Sequence, residues 1–234
     1  MKPVAIYRFF PIEGPGYFAT FLDNNHIPWQ LISVDAGDPL PADVHSFSGL
    51  VLMGGPMSVN DDLPWIAPML ALIQQAVDSD VAVLGHCLGA QLMSKAMGGV
   101  IDLNPVKEIG WGNVRVADHS VAREWFNDLT EFESFHWHGE AFSVPGGATR
   151  ILSNHYCRNQ AFAKGIHLAL QCHVEMTEEL VKKWCEANIS ELDGASCSSV
   201  QSVDGMTTNL TARVTELNNV ADLLYSKWIT GLKY

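Results

Sequence analysis

A cysteine between two glycines is the residue of this chain best suited to covalent chemistry. The stretch Gly85-His-Cys87-Leu-Gly89 follows an apolar run at 81–84 and precedes a helical pattern. A sharp turn from strand to helix presents a nucleophile, and the flanking glycines let neighbouring backbone approach. The positive end of the following helix favours the reactive thiolate. We therefore predict that Cys87 is a nucleophile, whereas His86, on an alternating strand end, should point away from it and be structural.

A thiol nucleophile needs a base that moves its proton and a third group that orients the base. His173 follows the apolar run 167–172 and precedes another helical pattern, which places it at the carboxyl end of a strand. Open α/β sheets build their sites at that end. Glu175 lies two residues further on, within reach of the imidazole. The sequence thus predicts Cys87, His173 and Glu175 as nucleophile, base and orienting carboxylate.

The elements that must position these residues alternate along the first hundred positions. Strands are predicted at 4–9, 28–34, 49–53 and 81–84, and helices at 17–25 and 65–77. Continuous apolar strands separated by helices are typical of a mostly parallel sheet covered on both faces. After about residue 100, short apolar runs at 114–116, 132–137, 149–152, 160–163 and 167–172 predict additional antiparallel strands at one side. We expect a single α/β domain.

The domain is predicted to cover residues 1–192. Residues 193–206 are rich in Ser, Gly and Asp and are interpreted as a loop or linker. Within 207–234, apolar residues recur with the three-to-four spacing of an amphipathic helix. We expect this C-terminal helix to pack on the same domain.

Composition narrows the classes of function. The formal net charge is −12, from 14 basic and 26 acidic residues, which argues against nucleic-acid binding because phosphates need clustered cations. No run approaches the roughly 18–20 apolar residues of a membrane span, and no signal-peptide pattern is present. The five cysteines are scattered and form no disulfide framework. We expect a cytoplasmic protein, without a metal-ligand cluster and without a cofactor.

Four motifs, in this order, resemble the class I (triad) glutamine amidotransferases. They are Gly54-Gly-Pro56, Cys87-Leu-Gly-Ala-Gln91, His138-Gly-Glu140 and His173-Val-Glu175. Stand-alone proteins similar to the glutaminase half of GMP synthase are the nearest in pattern, since 137–139 and 159–162 are also similar. The resemblance covers most of the chain and implies a flavodoxin-like, doubly wound sheet with the triad at its carboxyl edge.

The resemblance also implies roles for further residues. The backbone N–H groups of Gly55 and Leu88 would form the oxyanion hole, and the substrate would be bound by Gln91, Trp137 and His138. The chain departs from the family pattern in three places. Val174 stands where proline is usual, Glu140 where aspartate is usual, and His86 where an apolar residue is usual.

The first hypothesis for function is hydrolysis of the glutamine side-chain amide to glutamate and ammonia through a γ-glutamyl thioester on Cys87. The sequence has no Walker-type phosphate-binding loop, so either ammonia would pass to a separate ammonia-accepting synthase subunit, or the protein is simply a hydrolase. A second hypothesis is a stand-alone γ-glutamyl hydrolase or peptidase with the same triad. A third is a non-catalytic regulatory domain of the same fold.

Overall fold

The computed structural model describes residues 2–192 and 197–233 and contains one nine-stranded sheet. Its strands are β1 Val4–Arg8, β2 Trp29–Ser33, β3 Gly49–Leu52, β4 Ala82–His86, β5 Ile101–Val116, β6 Glu131–Phe142, β7 Thr149–Ser153, β8 Ala161–Lys164 and β9 His167–Leu170. The α-helices are α1 Tyr17–Asn24, α2 Ile66–Asp78, α3 Leu88–Ala96, α4 Ser120–Phe126, α5 Glu178–Ala187, α6 Ile189–Leu192, α7 Val203–Thr207 and α8 Leu210–Ile229. No helix in the described ranges is long and apolar enough to cross a membrane.

The sheet has a parallel half and an antiparallel half. Its order is β2-β1-β3-β4-β9-β8-β7-β5-β6, and the strands from β2 to β9 are paired in parallel. The strands from β9 through β8, β7 and β5 to β6 are paired antiparallel. This arrangement confirms the predicted mostly parallel α/β sheet with additional antiparallel strands.

Helices cover both faces of the parallel half. Alternate side chains of each strand point to opposite faces of the sheet, and each face is buried against a different set of helices. In β1, Val4 and Ile6 pack with α1 and α8, whereas Ala5 and Tyr7 pack with α2. The β3 strand, Gly49–Leu52, is buried along its whole length. Two apolar layers therefore hold the sheet rigid and fix the positions at which its strands end.

The region after residue 100 differs most from the sequence-based expectation. Instead of a strand at 114–116, β5 runs for 16 residues and forms a long hairpin with β6. Polar residues and Pro105 interrupt the apolar pattern of its first half, which is largely exposed, so periodicity alone did not reveal it. The short helix α4, which packs against α8, was also not predicted.

The segment predicted as a loop or linker falls partly outside the described residues, at 193–196. In the described remainder, Gln201 N donates to Ile109 O and Ile109 N to Ser199 O, both at 2.9 Å, and Val203 begins α7. Residues 197–206 are therefore attached to the edge of the domain. The C-terminal helix is α8, which buries Val214, Leu217, Ala221, Leu224 and Trp228 against the same core.

Candidate functional site

The candidate site lies at the carboxyl edge of the parallel strands. The loop after β1 carries Glu13, the loop after β3 carries Gly55, and the turn after β4 carries Cys87. The segment after β9 carries His173 and Glu175 and is tied to β6, since His173 N donates to Phe135 O at 2.8 Å. Neighbouring parallel strands end together, so residues distant in sequence meet here.

The turn at Cys87 has an unusual backbone. Its φ of 48° and ψ of −105° lie in a region that side-chain-bearing residues seldom adopt, at a cost of about 1–3 kcal/mol. A Cβ on Gly89 would collide with the backbone carbonyl of Leu52, and one on Gly85 would lie 2.5 Å from the Gly89 carbonyl carbon. Both glycines are thus required for the sharp entry into α3. The thiol sits at the first turn of that helix, as predicted.

His173 and Glu175 form a buried pair. The Nδ1 of His173 lies 2.6 Å from Oε1 of Glu175, and both side chains are at most 2% exposed. Burial by itself lowers the pKa of His173, but the Glu175 carboxylate and the neighbouring Cys87 raise it well above its usual value. Burial likewise raises the pKa of Glu175, whereas the neighbouring His86 and His173 hold it well below the ordinary range. The arrangement keeps an anion in contact with the imidazole.

His86 contacts the other oxygen of the same carboxylate. Its Nδ1 is 3.0 Å from Oε2 of Glu175, and neither atom has a well-aligned hydrogen bond in the described part of the chain. The far nitrogen of His86 is 3.5 Å from the hydroxyl of Tyr225 on α8. The sequence indicated a structural role for His86 but not this contact, which depends on how β4, β9 and α8 pack together.

A cavity of about 480 Å³ opens beside the thiol. Its lining includes five of the predicted site residues: Gly55, Cys87, Gln91, Trp137 and His138. The indole of Trp184, on α5, meets the His173 ring edge-on at 4.8 Å between centroids and also lines the cavity. Trp184 therefore shields the imidazole from solvent, a role that the sequence did not reveal.

Two glutamine side chains connect the thiol to the cavity wall. The amide of Gln171 donates to Cys87 Sγ at 3.5 Å, and the Gln91 amide donates to Gln171 Oε1 and Glu140 O, each at 3.2 Å. Gln91 is the expected substrate contact, and Gln171 was not predicted. Its position in the segment between β9 and His173 was an available signal.

Trp137 and His138 reach the site in different ways. The carbonyl of Trp137 is 3.8 Å from Cys87 Sγ. The His138 ring lines the cavity, but Nδ1 is 3.1 Å from Glu140 O and Nε2 is 3.3 Å from Glu108 Oε1. Both ring nitrogens of His138 thus contact protein groups.

Glu13 contributes a carboxyl group to the cavity wall close to His173. Burial raises its pKa to about 7; His173 opposes this shift and Glu175 adds to it. A Cβ on Gly54 would collide with the Glu13 carboxylate and lie 3.3 Å from the His173 ring, so the two side chains are neighbours. The loop after β1 is a usual place for site residues in such sheets, yet Glu13 was not predicted.

Three comparisons show which proteins this chain is similar to. The family model described as "Glutamine amidotransferase class-I" matches residues 24–188. The crystal structure of a glutamine amidotransferase from Methylobacillus flagellatus superposes with a TM-score of 0.97 and 45% identity, over 100% of this chain and 96% of that one. The glutamine amidotransferase-like protein YfeJ of Salmonella typhimurium is 31% identical over 78% of this chain and 80% of its own length.

Two further relatives are similar to a part of this chain. The glutamine-hydrolysing GMP synthase of Vibrio vulnificus is 33% identical over 58% of this chain, which spans only 26% of that protein. Gamma-glutamyl peptidase 3 of Arabidopsis thaliana is 27% identical over 71% of each protein. From the family match and the whole-chain similarity it follows that this chain belongs to the class-I glutamine amidotransferase family.

Proposed function

We propose that the protein hydrolyses the side-chain amide of glutamine to glutamate and ammonia, using Cys87 as the nucleophile. The observation that carries this proposal is the buried His173–Glu175 pair at 2.6 Å beside a thiol on a strained turn that opens into the cavity. A thiol, an imidazole and an orienting carboxylate are the groups that acyl transfer from an amide requires.

In the first half of the reaction, the thiolate attacks the γ-carbonyl carbon and a C–S bond forms. The carbonyl oxygen becomes an oxyanion. Protonated His173 then donates its Nε2 proton to the amide nitrogen, the C–N bond breaks and ammonia leaves. Glu175 keeps the imidazole oriented throughout and stabilises its positive charge.

In the second half, neutral His173 removes a proton from water, and the resulting hydroxide attacks the γ-glutamyl thioester. The C–S bond breaks, glutamate leaves, and the imidazolium again faces the Cys87 thiolate. The Nε2 of His173 has no aligned partner in the described part of the chain. Catalytic hydrogen bonds in ligand-free structures often tighten only when substrate binds.

We assign the stabilisation of the oxyanion to the backbone N–H groups of Gly55 and Leu88. The two residues are adjacent, since a Cβ on Gly55 would lie 2.8 Å from the Leu88 side chain. Leu88 is the first residue of α3, where backbone N–H groups lack intrahelical partners. Two such donors near the thiol fit the charge that develops on the carbonyl oxygen.

The ammonia is assigned to a separate synthase subunit that accepts it. A glutamine-hydrolysing GMP synthase, of which this chain spans 26%, is among the relatives, and this similarity supports an ammonia-accepting synthase as the partner. Co-purification of a partner with the protein from its own cells, together with faster glutamine hydrolysis in the complex, is the expected result.

A second candidate is the hydrolysis of γ-glutamyl peptides by the same residues. A cavity of about 480 Å³ lies within the roughly 300–1,000 Å³ range of pockets that bind drug-sized ligands. Its rim includes Leu103, which is 78% exposed, and Val106. An apolar rim of this kind fits a residue attached to the γ-glutamyl group, and gamma-glutamyl peptidase 3 is a relative.

The deciding experiment compares kcat/KM for glutamine and a panel of γ-glutamyl dipeptides, with the Cys87→Ala variant as control. We expect glutamine to be the better substrate. A preference above about tenfold for a dipeptide, which is about 1.4 kcal/mol of transition-state binding, would replace the first candidate by the second. Absence of turnover with every substrate and with any co-purified partner would instead support a non-catalytic regulatory domain.

A further inference from the structure

Three buried side chains on the β5–β6 hairpin form a cluster outside the proposed catalytic residues. His136 and His138 are two residues apart on β6 and so face the same side, and Glu108 is paired with His138 across the hairpin. Each residue is at most 6% exposed. One ligand atom from each, a ring nitrogen or a carboxylate oxygen, lies within 4.8 Å of the other two. This group is called the hairpin triad below.

The backbone fixes the tautomers of the two histidines. The Nε2 of His136 is 3.3 Å from Gly112 O, and the Nδ1 of His138 is 3.1 Å from Glu140 O. A carbonyl oxygen only accepts hydrogen bonds, so a neutral imidazole must carry its proton on the nitrogen that faces it. The other nitrogen of each ring then presents a lone pair.

The lone pairs of His136 and His138 face the carboxylate of Glu108, which is also an acceptor. The Nδ1 of His136 is 3.9 Å from Oε2 of Glu108, and the Nε2 of His138 is 3.3 Å from Oε1. Neither ring nitrogen has an aligned hydrogen-bond partner in the described part of the chain. Two lone pairs and a carboxylate brought together in a buried space repel one another unless a cation lies between them.

We propose that the hairpin triad binds a divalent transition-metal ion, with Zn²⁺ as the representative ion. Two imidazoles and one carboxylate are a common set of zinc ligands and leave a fourth position open. Metal-bound histidines usually donate their second N–H to a carbonyl or carboxylate, and both histidines here face backbone carbonyls in that way. This proposal does not depend on the proposed glutaminase activity.

The distances require the ligands to move closer together. With bonds of about 2.0–2.2 Å, neighbouring ligand atoms of a tetrahedral zinc are about 3.4 Å apart. Nε2 of His138 is 3.3 Å from Oε1 of Glu108 and already fits. Nδ1 of His136 is 3.9 Å from the other oxygen, Oε2, and all three ligand atoms lie within 4.8 Å of one another, so His136 must approach the other two ligands when the metal binds. A pocket of about 40 Å³ beside Glu108 and His136 can hold a water molecule as the fourth ligand.

Neighbouring amides hold the carboxylate in place. Asn154 Nδ2 donates to Oε2 of Glu108 at 2.5 Å, and Gln160 Nε2 donates to Oε1 at 2.9 Å. Such outer contacts orient metal ligands. No metal-ligand cluster was expected from the sequence, because Glu108 lies far from His136 along the chain and only the pairing of β5 with β6 brings them together.

The test must separate this site from cysteine thiols, which also bind zinc. We therefore use the Cys87→Ser/Cys197→Ser protein, which lacks the candidate nucleophile and the exposed thiol. After chelator treatment it is titrated with Zn²⁺ by calorimetry and with Co²⁺ by visible absorption. We expect one equivalent of each ion to bind, with the intense visible bands of four-coordinate Co²⁺.

His136→Gln in the same background should bind Zn²⁺ at least about 100-fold more weakly than the background protein. The loss of a residue that only hydrogen-bonds to a metal ligand already lowers metal affinity by about 10–100-fold. His45→Gln, at an exposed histidine outside the hairpin, is the matched control and should bind normally. Equal affinity in the folded His136→Gln protein, or no stoichiometric binding in the background protein, would overturn the proposal.

A second measurement covers the case in which His136→Gln fails to fold. In the ¹⁵N-labelled background protein, metal-bound imidazoles and doubly protonated imidazolium have different ring-nitrogen shifts. We expect a metal-bound His136 Nδ1 and His138 Nε2 with Zn²⁺ present. If the ring of either histidine stays protonated on both nitrogens in saturating Zn²⁺, then a proton and not a metal ion neutralises the negative charge of the hairpin triad.

Discussion

The contact between His86 and Glu175 predicts that His86, which lies outside the proposed catalytic triad of Cys87, His173 and Glu175, affects the rate of hydrolysis. His86→Leu removes the Nδ1 donor while filling most of the buried space. Oε2 of Glu175 would then lose the imidazole that lies 3.0 Å away. Leaving a buried acceptor without its polar neighbour costs about 1–3 kcal/mol. If that loss appears in the orientation of His173, kcat should fall by about 5–150-fold.

The assay is steady-state glutamine hydrolysis at saturating and limiting substrate. The KM should change little, because Glu175 and His86 are absent from the described cavity lining. His86→Asn places an amide donor near the lost Nδ1 and should restore most of kcat. Tyr225→Phe is the control, since it retains the aromatic packing with Phe18 and removes only a 3.5 Å contact.

A folded His86→Leu protein with wild-type kcat would refute this reasoning. Equal losses in the Leu and Asn variants, with KM rising in parallel, would show that His86 only supports the fold. Circular dichroism and thermal unfolding of each variant establish whether the protein is folded before kinetics are compared.

Three further predictions concern the same site. Cys87→Ala and His173→Ala should each abolish ammonia release, whereas Glu175→Gln should leave measurable turnover because it only orients and stabilises the imidazole; near-normal turnover in His173→Ala would contradict the assignment. Brief treatment with a glutamine-mimicking electrophile should label Cys87 before the exposed Cys197, as judged by peptide mapping, and the reverse order would exclude Cys87 as the activated thiol. Glu13 is protonated in the folded state up to about pH 7 but ionises from about 4.5 when unfolded, so its contribution to stability is lost as pH rises through this range. Glu13→Gln should therefore gain stability relative to wild type between pH 4.5 and 8, by at most about 3.4 kcal/mol. Chemical denaturation that shows no pH-dependent difference between the two proteins would contradict the buried position of this carboxyl group.

The sequence predicted the parallel half of the fold with little error. The run 49–53 was expected as a buried strand and is β3, Gly49–Leu52. The elbow glycines were expected to permit close approach, and a Cβ on either would collide with backbone. These features succeed because they depend on local chemistry: continuous apolar runs and residues without a Cβ.

The antiparallel half was predicted less well. The first half of β5 was not recognised, because its polar residues are stabilised by pairing with β6 rather than by their own burial pattern. The helix α4 is only seven residues long, which is too short for a clear helical period. Pairing between strands is a non-local choice, and the identity of the neighbouring strand is not contained in a short window of sequence.

By itself, the sequence determined which residues are chemically able to act and at which end of the sheet they lie. Cys87, His173 and Glu175 follow strands, and the ends of parallel strands meet at one edge whatever the details of packing. Only the tertiary structure decided what else touches them. His86 contacts Glu175, and Glu108 contacts His136 and His138. Strand register and the packing of α8 set these distances of a few ångströms between residues that are far apart in the chain. Local sequence patterns do not encode distances of that kind.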